Sequence, residues 1–88
     1  MQVEVEKKTE DQLIAIGVFS WPVWSKEVSE FEWSYDEQER CYILEGEAEV
    51  EAYGEKFSFS EGDFVTFPVG MTCTWRVTKP IRKHYQMG

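Results

Sequence analysis

The chain has 88 residues, 17 acidic against nine basic, for a formal charge of −8. A surface this acidic excludes a phosphate-tracking nucleic-acid binder and disfavours anionic lipid, while 42% hydrophobic and 16% aromatic residues exclude a disordered acidic tail. So short a chain holds one domain, expected to span residues 1–88.

The first residues alternate, Val3 and Val5 against Glu4 and Glu6, which suits a short half-buried strand. They carry neither the basic nor the apolar region of a signal peptide. The longest apolar run, Leu13 to Phe19 with Gly17 inside it, falls far short of a membrane span. A cytoplasmic location with no membrane partner is therefore expected. Thr9 and Gln12 stand at capping-box spacing, and Leu13, Ile14 and Ile16 can pack one face of a short helix that Gly17 ends. Strand and helix together occupy residues 1–17.

From residue 18 onward the period changes to two. Phe31, Trp33 and Tyr35 alternate with Glu30, Glu32 and Ser34; Cys41 to Leu44 reads as buried on both sides; Ala48, Val50 and Ala52 alternate with Glu47, Glu49 and Glu51. Phe57 and Phe59 follow, then Phe64 to Phe67, then Met71, Cys73, Trp75 and Val77. Turn chemistry separates these runs at Asp36–Gln38, Glu45-Gly46, Tyr53-Gly54, Ser60–Asp63, Pro68–Gly70 and Lys79-Pro80. Many short strands at close, regular spacing indicate an all-β fold, a small jelly-roll barrel over residues 18–88 with one short N-terminal helix. The carboxylates fall mainly on outward strand positions, a solvated face that protects edges. The basic bias of Arg76, Lys79, Arg82 and Lys83 is expected to offset carboxylates across strands or across a subunit interface.

Two turn-centred segments carry a family resemblance. Gly62-Asp63-Phe64-Val65-Thr66-Phe67-Pro68-Val69-Gly70 resembles the second motif of the cupin superfamily: a Gly, five residues, Pro-any-Gly, two residues, then a ligand His. Glu39-Arg40-Cys41-Tyr42-Ile43-Leu44-Glu45-Gly46 is similar to the end of the first motif, a Glu followed after six residues by Gly. With their flanking strands the two segments cover residues 31 to 77. The whole chain resembles the minimal cupins of the ureidoglycine aminohydrolase-like and ethanolamine-utilisation branch. That resemblance implies a cupin (double-stranded β-helix) barrel and a homodimer.

Metal-dependent cupins hold their ion with a His-any-His pair, the Glu and the later His. Here the corresponding positions are Trp33, Tyr35, Glu39 and Cys73, so one ligand of four is kept. Indole does not ligate, and a phenol, a thiol and one carboxylate mix hard and soft donors without any imidazole. No metal and no other cofactor is therefore expected. The sole histidine, His84, lies outside both motifs and reads as a surface strand residue. No Ser-His-Asp set, phosphate loop or dinucleotide fingerprint is present.

If the register of the resemblance holds, Trp33, Tyr35, Glu39, Cys41, Cys73 and Trp75 point into the barrel. These rings either fill a very small interior or wall a pocket for a small planar or cationic molecule, with Glu39 at its polar end. Glu39 itself needs a partner, expected among Arg40, Arg76, a hydroxyl or water. The leading functional reading is a metal-free cupin that binds a small molecule. The alternatives are an enzyme acting on a small nitrogenous metabolite, as the resemblance implies, and a homodimer with a structural or partner-binding role. Cys41 and Cys73 are expected to be free thiols.

Overall fold

A computed structural model describes residues 3–88. Strand β1 (Glu4–Lys7) leads into helix α1 (Glu10–Ile16) and a 3₁₀ turn at Val18–Ser20, followed by β2 (Val23–Lys26), β3 (Ser29–Ser34), β4 (Glu39–Ala52), β5 (Glu55–Ser60), β6 (Asp63–Phe67) and β7 (Thr72–Met87). The helix starts as its sequence dictates. Thr9 Oγ1 accepts from the Gln12 amide, Gln12 Oε1 accepts from the Thr9 amide, and Gly17 at φ 86° closes the C-terminus. Leu13 is buried, but Ile14 is exposed, so the helix has a narrower apolar face than its composition suggested. No helix of the described residues is long and apolar enough to cross a membrane.

All strands belong to one antiparallel sheet built around two long members. The first half of β4 pairs with β6 and its second half with β5, while β7 runs beside β4 throughout. On its other side β7 pairs first with β3 and then with β2. The expected turns at Glu45-Gly46 and Lys79-Pro80 are in fact bends within these continuous strands. The β4–β7 register shifts between Ile43 and Ala48, which is bulge behaviour. Gly46, at φ 96°, lies against Pro80, and a Cβ there would stand 2.7 Å from Ile81 Cα and nearer still to the Pro80 carbonyl oxygen. The irregularity falls where β4 changes partner from β6 to β5 and β7 changes partner from β3 to β2.

Alternation then sorts the side chains. Cys41, Ile43, Val50, Val65, Phe67, Trp75 and Val77 face inward and form the main core. The opposite face of the β4–β6 wall is covered by α1 and the 3₁₀ turn, where Leu13, Val18, Trp21 and Phe64 form a second cluster. β1 lies at the sheet edge beside β6 alone, and all four of its residues are exposed. Val3 is buried as alternation expected; Val5 is not, having a neighbouring strand on one side only.

Candidate functional site

Registers bring one set of inward side chains to an end of the barrel. Phe31 lies opposite Trp75, and Trp33 opposite Cys73, on β3 and β7. Trp24 lies opposite Lys83 on β2 and β7. Glu39 lies opposite Phe67 on one side and Met87 on the other. Together these elements line an open-mouthed cavity of about 260 Å³. Trp24, Phe31, Trp33 and Trp75 supply its aromatic walls, Tyr85 and Met87 close another side, and Tyr35, Glu39 and Lys83 supply its polar atoms.

The walls are packed in fixed geometry. Phe31 stacks on Trp75 with planes 7° apart, Trp24 meets Trp75 edge-on at 6.1 Å, and Tyr35 stacks on Phe67 at 5.1 Å. Trp75 Nε1 donates to the Tyr35 hydroxyl at 3.1 Å, which fixes both rings. Trp33 differs from its neighbours: it is 51% exposed and stands at the mouth.

The polar centre is an ion pair. Lys83 Nζ lies 2.5 Å from Glu39 Oε2, and both side chains are 6% exposed. The ammonium also lies over aromatic faces, 4.7 Å from the centroid of Trp75 and 4.8 Å from that of Trp24. Glu39 and Lys83 are not cross-strand neighbours, since Lys83 opposes Ile43, four residues along β4; the two inward side chains meet in the buried interior.

This partner differs from those the sequence suggested. Arg40 follows Glu39 and so points to the other face, where its guanidinium covers Trp21 at 5.1 Å and donates to Gln86. Arg76 pairs with Glu30 at 3.1 Å and Glu51 at 2.8 Å. Lys83 had read as one more basic residue of the last strand. The signal that could have found it was parity: Ile81 and Lys83 share a face, and that face is inward.

Of the six candidate site residues, Trp33, Tyr35, Glu39 and Trp75 come together around the cavity, while Cys41 and Cys73 are buried beside it without lining it. Trp24, Phe31, Lys83, Tyr85 and Met87 complete it and were not anticipated. Both cysteines are free. Burial pushes the Cys41 thiol up to about 12, the carboxylate of Glu39 adding to the effect and Lys83 opposing it. Cys73, again through burial and Glu39, is pushed up to about 11, and its Sγ lies 3.6 Å from the Trp33 carbonyl oxygen. Burial and then Glu39 hold the Tyr35 phenol far above its ordinary value. His84 faces away from the cavity, with Nδ1 2.9 Å from the Trp21 carbonyl oxygen and its ring edge-on to Phe19.

Comparison with known proteins places the barrel. The family model of the EutQ-like cupin domain matches residues 13–85. The chain belongs to that family. Among solved structures, a DUF861 family protein from Thermotoga maritima is similar to it at 50% identity, covering 99% of this chain and 100% of its own, with a TM-score of 0.96. The EutQ protein of Clostridium difficile shares the fold at 23% identity and a TM-score of 0.69, over 74% of this chain and 52% of that one. A DUF861 family protein from Pseudomonas syringae, described as of unknown function, is 25% identical over 75% of this chain and 29% of its own, with a TM-score of 0.68. No curated protein matches the chain.

Metal-dependent cupins raise the question of an ion at this EutQ-like site. The donor set does not fit one. At the four corresponding positions stand an indole, a phenol hydrogen-bonded to Trp75, a buried thiol and a carboxylate already engaged by an ammonium. Among the described residues no three His, Cys, Asp or Glu side chains gather as a ligand set. Lys83 supplies a positive charge at the carboxylate that a metal would otherwise share.

Proposed function

We propose that this EutQ-like cupin binds a small molecule in the aromatic cavity, without a His-ligated metal or other cofactor. One observation carries the reading: a cavity walled by rings contains a single buried ion pair at its polar end. Binding sites have that composition, apolar walls for affinity and a few placed polar groups for orientation. The volume lies just below the usual range for such sites, so the occupant is small, on the order of a single ring. The exposed indole of Trp33 at the mouth can cover a molecule held against Phe31 and Trp75. The same reading has the protein as a cytoplasmic homodimer. Two free buried thiols suit a reducing compartment, and the exposed edge strand β1 suits pairing with a second copy.

A small-molecule library read by tryptophan emission and melting temperature tests this. Three of the four indoles line the cavity, so a bound molecule should shift emission and raise the melting temperature together. Trp33→Ala should weaken every such molecule while leaving the fold intact, because that side chain is half exposed. A library that moves neither signal would reduce the barrel to a packed interior.

A further inference from the structure

The electrostatics of the cavity restrict what it can accept. Among the described residues Glu39 and Lys83 are its only charged lining side chains, and their charges cancel. Tyr35 and both neighbouring thiols stay protonated at neutral pH, so no further charge develops there. An ionic molecule would bring a net charge against a buried pair that is already neutral, and a charge that gives up water there without a counter-ion is costly. The two members of the pair nevertheless retain hydrogen-bonding capacity. An ammonium has three donors, and Lys83 Nζ donates to Glu39 and to no other oxygen of the described residues; its remaining surroundings are the faces of Trp24, Trp75 and Phe67. A carboxylate accepts several hydrogen bonds; Lys83 supplies one and the Tyr35 hydroxyl another, which leaves capacity for a further donor.

A donor and an acceptor thus lie side by side, with aromatic rings around them. We infer that the cavity selects a planar, electrically neutral molecule carrying an adjacent acceptor and donor — a carboxamide or a lactam — whose carbonyl oxygen accepts from Lys83 and whose N–H donates to Glu39. Its flat body stacks among Phe31, Trp75 and Trp33. This rests on the binding reading above and sharpens it: the pair is read as a two-point recognition element for an uncharged group. The cationic occupant that Glu39 alone suggested is disfavoured, because Lys83 already neutralises the carboxylate.

Four single-ring probes of nearly equal shape separate the possibilities: benzamide, benzoate, benzamidinium and acetophenone. Titrated against the full chain by tryptophan emission and calorimetry, benzamide should bind about tenfold or more tightly than each of the others, the worth of one well-placed charged hydrogen bond. Glu39→Gln leaves an uncompensated ammonium and should switch the preference to benzoate; Lys83→Met leaves an uncompensated carboxylate and should switch it to benzamidinium. Wild-type preference for either ion overturns the inference. So does acetophenone binding as tightly as benzamide, since the N–H would then be idle, and so does a ranking that both substitutions leave unchanged. If either variant fails to fold, the wild-type ranking alone decides. Should none of the four probes bind, the inference fails; the broader binding reading fails only if the library screen is silent too.

Discussion

Lys83 and Glu39 show how one pair of residues sets both the stability and the chemistry of this barrel. Each is charged, each is almost fully buried, and each has the other as its counter-ion. Removing one partner leaves a buried charge without compensation, which typically costs about 3–5 kcal/mol. Lys83→Met or Glu39→Gln should therefore lower urea-unfolding stability by about that much. The double variant should lose clearly less than the sum, because the aromatic rings then surround two neutral side chains. Additive losses in that cycle would show the two charges to be independent. The neighbouring thiol adds a pH signature. Cys41 is pushed up to about 12 in the folded chain, from an ordinary value of 9.0. Between these values the native state keeps a proton that the unfolded state has lost, so stability falls as pH rises, by about 1.4 kcal/mol per pH unit while the difference is full. Cys73 adds to the fall between 9.0 and about 11, and Tyr35, ordinarily at 10.0, steepens it above that point. Denaturant midpoints measured from pH 8 upward should decline, and Cys41→Ala should flatten part of the slope. A flat profile in the wild type would mean that the thiols ionise as easily inside the barrel as outside it.

The elements were legible where local chemistry acts alone. The capping box of Thr9 and Gln12, the stop at Gly17, and the alternation of Phe31 and Trp33 with Glu30 and Glu32 each give the observed element from a few residues of sequence. The bends in β4 and β7 were not legible as bends. Glu45-Gly46 and Lys79-Pro80 carry turn residues, and sequence alone cannot tell a chain reversal from a bulge in a strand that continues. What decides is a contact between residues far apart, the seating of Gly46 on Pro80. The candidate site divides the same way. Trp33, Tyr35, Glu39 and Trp75 follow from alternation and the motif register, whereas Lys83, Trp24 and Phe31 join them through pairing with β7. The bend itself is testable. Gly46→Ala introduces a Cβ into occupied space and forces an alanine to a positive φ, so it should destabilise by about 3 kcal/mol or more. Gly54, also at positive φ but with open space around it, is the control: Gly54→Ala meets only the backbone penalty, about 1–2 kcal/mol. Equal losses at the two positions would show that the contact with Pro80 adds nothing.

At the scale of the whole molecule, the distribution of charge bears on how two copies can meet. An excess of eight negative charges makes copies repel each other at long range. The basic residues of the last strand are already engaged within the chain: Arg76 with Glu30 and Glu51, Lys79 with Glu47 at 2.7 Å, Arg82 with Glu45 at 3.1 Å, and Lys83 with Glu39. They are cross-strand compensation, one of the two roles the sequence left open, and so leave little basic surface to attract an acidic neighbour. The expected homodimer must therefore be held by backbone pairing and apolar contact, and the feature suited to that is β1. It is an edge strand with all four residues exposed, and Val5 at its centre is 40% exposed. Salt screens the mutual repulsion, and at 1 M the screening length is only about 3 Å. Light scattering should accordingly give twice the 10.4 kDa chain mass, with the dimer persisting or tightening as salt is raised. Val5→Lys, a charge placed where an edge strand would pair, should shift the protein toward monomer without loss of fold. A dimer that dissociates in high salt would instead assign the interface to ion pairs across the twofold axis. A monomer at every salt concentration would leave β1 as no more than the protected edge of its own sheet.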